Sequence, residues 1–105
     1  MQPLYEQNCI HRADLLEEDK ITTYYSMLSP GWVIEDKTKL VKTYPFTEYA
    51  PSVVFVDKIA EIAQQQNHHP DILLGFKKVT ISLTTHSASG LTANDFIMAA
   101  KIDRI

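Results

Sequence analysis

Three histidines offer the most versatile side-chain chemistry in this chain, and two of them are neighbours. His68 and His69 lie in the run NHHPD, residues 67–71, and His86 follows seventeen positions after His69. The chain has four histidines in all. An imidazole with an unperturbed pKa of about 6.5 can give or take a proton at neutral pH. The three residues are therefore candidates for acid–base catalysis.

Two other interpretations stay open on residue types alone. Loop histidines can be satisfied by backbone groups and water without any functional role. Three imidazoles also suit zinc, although no acid stands at a recognisable ligand spacing from them. Cys9, the single cysteine, is remote in sequence and allows no disulfide within the chain. That usage fits a reducing compartment.

Hydrophobic periodicity predicts the elements that position these residues. A first helix is expected from about Leu16 to Pro30-Gly31, since proline cannot continue a helix and glycine supplies a turn. Residues 32–34 and 39–46 are predicted to be strands. A second helix, capped by Thr47, is expected to bury a stripe that ends at the polar residues before His68. The members of that stripe are Tyr49, Val53, Val56, Ala60 and Ala63, widened by Phe55, Ile59 and Ile62.

The second half of the chain repeats the strand pattern. Residues 71–76 and 79–85 are predicted to be extended, because Val79, Ile81 and Leu83 alternate with polar residues. Thr92 and Asp95 have the capping-box spacing of a terminal helix. The order α-β-β-α-β-β-α predicts an α+β fold, a four-stranded antiparallel sheet with helices packed on one face. We expect one domain over residues 1–105, with 1–15 as a loosely ordered lead-in.

Chain lengths indicate that the histidines can meet. A straight strand from His69 to His86 would span about 55 Å, whereas a compact chain of this length has a diameter of roughly 33 Å. The segment must therefore reverse, and a two-residue turn at Lys77-Lys78 is expected. Opposed residues have Cβ atoms about 5 Å apart, so the imidazoles should share one cavity. The predicted pairs are Phe76 with Val79, Ile72 with Leu83, and His69 with His86.

Composition limits the classes of partner. The 105 residues are 45% hydrophobic and 22% charged, which is typical of a globular domain. The net charge of -3 argues against a nucleic-acid partner, which would need a concentrated basic face. The N-terminal residues do not resemble a signal peptide, and no apolar run approaches the ~18 residues of a membrane span. These features predict a soluble cytoplasmic protein without a membrane partner.

The spacing from His68 onward resembles a family signature. It spells H-H-P, five residues, Phe76, nine residues, His86, eight residues and Asp95. Together with Gly31-Trp32, Thr85-His86, residues 90–92 and the closing AAKID, this resembles the pterin-4a-carbinolamine dehydratase family over roughly Leu16 to the C-terminus. The resemblance implies the same four-stranded fold and assembly as a homodimer or homotetramer.

The implied activity is loss of water from a 4a-hydroxytetrahydropterin to give the quinonoid dihydropterin in tetrahydrobiopterin recycling, without metal or cofactor. By this resemblance His68, His69 and His86 are catalytic, and the substrate-binding positions are Asn67, Pro70, Ile72 and Phe76. The predicted pairing favours His69 and His86 as the acid–base pair, with His68 orienting the pterin. A non-catalytic interaction or dimerisation cofactor, or a pterin-binding protein of the same fold, is the alternative.

Two positions depart from the family pattern. Members commonly carry an acid where this chain has Gln64, and often an aromatic residue where it has Ile72. The first change removes an orienting partner for an imidazole, and the second removes a stacking wall for the pterin. Asp95 is interpreted as a helix-cap acid rather than a catalyst.

Overall fold

The computed structural model describes residues 2–105 and contains the predicted α+β arrangement. Its helices and strands follow the predicted order: α1 Glu18–Ser26, β1 Val33–Glu35, β2 Lys39–Pro45, α2 Tyr49–Gln66, β3 Asp71–Leu74, β4 Lys78–Leu83 and α3 Ala93–Ile102. Two short 3-10 helices, Leu4–Glu6 and His86–Ala88, lie outside this pattern. No helix within residues 2–105 has both the length and the hydropathy needed to cross a membrane.

All four strands pair antiparallel in the order β1-β2-β4-β3. The alternation in β4 fixes its two faces, because Val79, Ile81 and Leu83 are fully buried whereas Thr80 and Ser82 are half-buried on the other side. The β1–β2 turn uses positive φ at Asp36 and Lys37, as type I′ hairpin turns do. β3 forms one edge of the sheet.

The β3–β4 hairpin differs from the predicted pairing by two residues. Ile72 lies opposite Ile81 rather than Leu83, and Leu74 rather than Phe76 lies opposite Val79. A shift of two residues leaves the same side chains on the buried face, so the hydrophobic pattern fits both registers equally well.

The turn decides the register. It is formed by Phe76 and Lys77, and the Gly75 amide donates to the Lys78 carbonyl oxygen at 2.8 Å. The predicted turn at Lys77-Lys78 is therefore wrong by one residue. Extending the observed register would place Thr84, not His86, opposite His69, so the predicted histidine pair is wrong as well.

The long helix α2 begins one residue later than predicted and buries a shifted face. Glu48 rather than Thr47 occupies its N-cap position. Tyr49 and Ala60 of the predicted stripe are exposed, because the helix turns a different side toward the sheet. The residues that α2 buries fully are Ser52, Phe55, Ile59 and Ala63.

The first residues pack onto the domain, although a loosely ordered lead-in was expected. Leu4 is buried, and Lys101 Nζ donates to the Tyr5 carbonyl oxygen at 3.0 Å. Ile10 N donates to Asn94 Oδ1 at 3.0 Å, and Asn94 Nδ2 donates to the Ile10 carbonyl oxygen at 2.8 Å. Ile10 and Asn94 are 84 positions apart, so local composition carries no signal of this contact.

A buried ion pair joins the end of α3 to the sheet. Asp103 accepts hydrogen bonds from Lys42 Nζ at 2.7 Å, Tyr44 OH at 2.6 Å and Trp32 Nε1 at 2.8 Å. The Asp103 side chain is 5% exposed and that of Lys42 is 14% exposed. Burial raises the pKa of the Tyr44 phenol above its usual range, and the hydrogen bond to Asp103 adds to this effect. Tyr44 therefore stays a neutral donor to Asp103.

Candidate active site

The three histidines line one open pocket of about 260 Å³. They arrive from two segments, the turn between α2 and β3 and the 3-10 helix after β4. Reversal of the chain between β3 and β4 brings these segments together, although the residue pairing differs from the prediction. The complete lining is Asn67, His68, His69, Thr84, Thr85, His86 and Ser87.

Asn67 turns the chain out of α2 and into this pocket. Its backbone is left-handed, with φ 50 and ψ 41, and its amide donates to the Ala63 carbonyl oxygen. Asparagine tolerates this conformation better than most residues, which makes it a good helix C-cap. His68 and His69 follow immediately, before Pro70 leads into β3. The local sequence thus fixes where the first two imidazoles leave the helix.

His68 is held by a buried carboxylate. Its Nε2 lies 2.7 Å from Asp95 Oδ1, and the side chains of His68 and Asp95 are 12% and 0% exposed. A carboxylate at this position orients the ring and favours the tautomer with hydrogen on Nε2. In that tautomer the other nitrogen, Nδ1, carries the lone pair. His68 has the most defined environment of the three imidazoles.

Asp95 is fixed in turn by its remaining oxygen. Asp95 Oδ2 accepts from Thr85 Oγ1 and from the Thr92 backbone amide, both at 2.9 Å. Thr92 and Asp95 form the predicted capping box at the start of α3. The interpretation of Asp95 as a cap acid was incomplete, because one oxygen caps the helix while the other holds His68. The capping-box pattern alone explains an acid at position 95, so the contact of Asp95 with His68 was not predicted.

His69 and His86 are more exposed. His69 Nε2 lies 3.3 Å from Gln64 Oε1, so the residue found where the resemblance implies an acid is in contact with an imidazole. Glutamine can orient the ring but brings no charge. His86 begins the 3-10 helix His86–Ala88. Neither side chain has a buried carboxylate partner comparable to Asp95 among residues 2–105.

The other predicted substrate-binding residues lie elsewhere. Of the four, only Asn67 lines the histidine pocket. Ile72 packs against the core, and Pro70 is half-buried before β3. Phe76 is 70% exposed at the far end of the hairpin, where its ring stacks on that of Tyr49 with centroids 6.4 Å apart. Six residues, four of them in β3, separate Phe76 from His69, and Phe76 is not among the residues that line this pocket.

A second polar pocket, also of about 260 Å³, adjoins the first and shares Asn67, His68, Thr85 and Ser87 with it. Its outer wall is the N-terminal segment, residues 9–13. Burial raises the pKa of the Cys9 thiol, which lines this wall, to about 11. Cys9 is therefore a neutral thiol near pH 7 rather than a nucleophile. This wall has no sequence motif that could have indicated its position.

A zinc site was one of the two other interpretations of the histidines. Among residues 2–105, no three His, Cys, Asp or Glu side chains are grouped so that they could hold a metal ion. The arrangement present is instead an Asp–His pair and two further imidazoles around a pocket. Such a set can orient a small ligand and exchange protons with it.

Sequence comparisons identify relatives of this chain. The family model described as Pterin 4 alpha carbinolamine dehydratase matches residues 14–105. A protein of Hydrogenovibrio crunogenus is 44% identical over 87 residues, which cover 82% of this chain and 76% of that protein. A protein of Nostoc sp. is 43% identical over 93 residues, covering 89% and 98%. Both relatives are provisionally named pterin-4-alpha-carbinolamine dehydratase.

Solved structures show the same fold. A transcriptional coactivator/pterin dehydratase from Brucella melitensis superposes with a TM-score of 0.81 at 26% identity, covering 87% of this chain and 97% of that one. A pterin dehydratase-like protein described as a RuBisCO assembly factor in the alpha-carboxysome gives 0.62 at 28% identity, covering 70% and 87%. The family match over most of the chain, the identities of the relatives and the shared fold agree. The chain belongs to the pterin-4-alpha-carbinolamine dehydratase family.

Proposed function

We propose that this protein dehydrates 4a-hydroxytetrahydropterins to quinonoid dihydropterins, as a step in tetrahydropterin recycling. One observation carries the proposal: three imidazoles line a single pocket, and one of them is held by a buried carboxylate. Family membership supplies the substrate class. The pocket supplies groups suited to a reaction that consists of proton transfers.

The reaction needs one acid and one base. The C4a–O bond breaks as an acid protonates the leaving hydroxyl, and the lone pair of the adjacent ring nitrogen forms the new C=N bond. A base then removes the proton from that nitrogen, which leaves the neutral quinonoid product and one water molecule. Each well-placed acid or base contributes about 10²–10⁴-fold to the rate. No redox step occurs.

The observed contacts favour His68 as the base. Asp95 stabilises the positive charge that His68 acquires when its Nδ1 takes a proton, and the contact also fixes the ring. His69 and His86 line the same pocket and supply the acid. The earlier division of roles, with His69 and His86 as the acid–base pair, depended on a residue pairing that the β3–β4 register does not contain.

An in vitro dehydration assay tests the proposal. A pterin-dependent hydroxylase generates 4a-hydroxytetrahydropterin, and the quinonoid product is followed by absorbance with and without this protein. We expect product to form well above the rate in buffer and in proportion to the protein concentration. A metal analysis of the same sample tests the zinc alternative. A rate equal to that in buffer would contradict the proposed activity.

A non-catalytic interaction role is the second candidate. The Brucella melitensis and alpha-carboxysome proteins are described as a coactivator and an assembly factor. In this chain Leu73 and Phe76 near the β3 edge are 67% and 70% exposed, so apolar surface is available to a protein partner. An inactive protein in the dehydration assay would favour this role.

A further inference from the structure

The N-terminal segment, residues 9–13, lies outside the family match yet forms a wall of the pocket that adjoins the histidines. The family model begins at residue 14. The segment therefore lies outside the matched family region but directly beside the candidate site. A wall of this kind can alter which ligands fit without taking part in proton transfer.

Hydrogen bonds fix this wall on both sides of its tip, which is Arg12. Before the tip, Cys9 N donates to Gln66 Oε1 at 2.7 Å, and Ile10 is joined to Asn94 by two hydrogen bonds. After the tip, Leu16 N donates to the Leu91 carbonyl oxygen at 2.9 Å. The partners belong to α2, α3 and the turn before α3. The tip is thus held at a defined position against the domain.

Arg12 stands at this tip in an unusual backbone conformation. Its φ is 59, a left-handed value that costs free energy for a residue other than glycine. Its side chain is exposed, and it forms no ion pair within residues 2–105. Arg12 lines both the pocket shared with His68 and a neighbouring pocket that reaches Ser87 and Ala88. These two pockets together form a groove that leads away from His68, and Arg12 lines its outer part.

The groove offers hydrogen-bond donors and no negative charge on the path from the histidines to Arg12. Its polar lining includes Asn67, Thr85, Ser87 and His11, and no carboxylate lines the pocket that contains them. Asp14 is the nearest acid in sequence and lines only the outer pocket. Arginine binds phosphate through two parallel hydrogen bonds. This lining is suited to an anionic group with several acceptor oxygens.

We propose that the groove receives the C6 side chain of the pterin. Arg12 gives the groove a preference for a side chain that ends in a phosphate monoester. The inference depends on the proposed function, because it takes the pterin ring to lie at the histidines. C6 is separated from C4a by one ring nitrogen, so its substituent leaves the ring close to the reacting centre. The second polar pocket shares His68 and Thr85 with the histidine pocket, so it is the space beside the ring into which this substituent extends. Arg12 is a specificity residue here and takes no part in proton transfer.

Equilibrium binding of two stable ligands tests this selection. The ligands are 7,8-dihydropterin with a neutral 6-trihydroxypropyl side chain and the terminal phosphate monoester of the same compound. Neither carries a 4a-hydroxyl group, so the measurement does not depend on turnover. We expect the phosphate ester to bind the wild-type chain at least ~10-fold more tightly, which corresponds to about 1.4 kcal/mol. Higher ionic strength should reduce this preference.

Matched variants assign the preference to Arg12. Arg12→Gln should bring the two Kd values together by weakening only the phosphate ester, while the Kd of the neutral ligand stays within about 2-fold. Lys58→Gln removes the same charge from an exposed position of α2 that lines none of these pockets, and it should keep the preference. Unchanged binding of the neutral ligand shows that Arg12→Gln is folded.

The outcomes separate this inference from the proposed function. Equal affinity of the wild-type chain for both ligands, or a preference that survives Arg12→Gln, would overturn the inference and leave the dehydratase proposal standing. Failure of the wild-type chain to bind either ligand would overturn both. Loss of the preference in Lys58→Gln would also overturn the inference, since the effect would then come from net charge.

Discussion

Replacing His68 with alanine should lower the single-turnover rate constant of 4a-hydroxytetrahydropterin dehydration by about 10²–10⁴-fold. His68 is the imidazole whose orientation is fixed, because its Nε2 lies 2.7 Å from the buried Asp95 carboxylate. Alanine removes the base and leaves the pocket open to water. The measurement is single-turnover formation of the quinonoid product, which isolates the chemical step from product release.

Two comparisons make this result specific. Gln65→Ala changes an exposed residue of α2 that lines none of the described pockets, and it should retain wild-type turnover. His69→Ala and His86→Ala should each lose activity too, by removing the acid side of the reaction. Turnover of His68→Ala within 3-fold of wild type, in a variant with an unchanged circular dichroism spectrum, would refute the role of the Asp95–His68 pair.

Replacing Asp103 with alanine should lower the free energy of unfolding by about 3–5 kcal/mol. The substitution removes the acceptor that Lys42 Nζ, Tyr44 OH and Trp32 Nε1 share, and Lys42 is then a largely buried charge without this partner. Urea denaturation at pH 7 measures the loss. Asp103→Asn, which keeps the shape and one acceptor oxygen, should cost less than alanine.

An exposed acid is the matched control for Asp103. Asp57 lies on the solvent side of α2, so Asp57→Ala should change the unfolding free energy by less than about 0.5 kcal/mol. A loss below about 1 kcal/mol for Asp103→Ala would mean that water replaces the carboxylate at little cost and that the network does not stabilise the end of α3.

The order of helices and strands was predictable because each element carries its own period. The alternation of Val79, Ile81 and Leu83 identified β4, and all three are fully buried. The register of β3 against β4 was not predictable in the same way, since a two-residue shift preserves the buried face. Only the position of the turn at Phe76 and Lys77 distinguishes the two registers.

The candidate site was predictable in its histidines but not in their partners. Spacing and chain length indicated that His68, His69 and His86 share a cavity, and they line one. Asp95 was assigned a single role because the capping box explained it locally. The contact between Asp95 and His68 joins residues 27 positions apart and has no local signature.

The position of the N-terminal wall, residues 9–13, was even less predictable from the sequence. Residues before Leu16 have no periodicity, and their order comes from single hydrogen bonds to distant residues, such as those between Ile10 and Asn94. Sequence patterns report faces that are buried along a whole element. They do not report a short segment that is fixed at a few points.

Nuclear magnetic resonance of the histidine rings, with a 7,8-dihydropterin lacking a C6 side chain as the titrant, tests most directly whether the three imidazoles surround one ligand. We expect the ring signals of His68, His69 and His86 all to shift and the three titration curves to give one common Kd. Shifts confined to a single one of these rings, or no shift at a saturating concentration of the pterin, would contradict it.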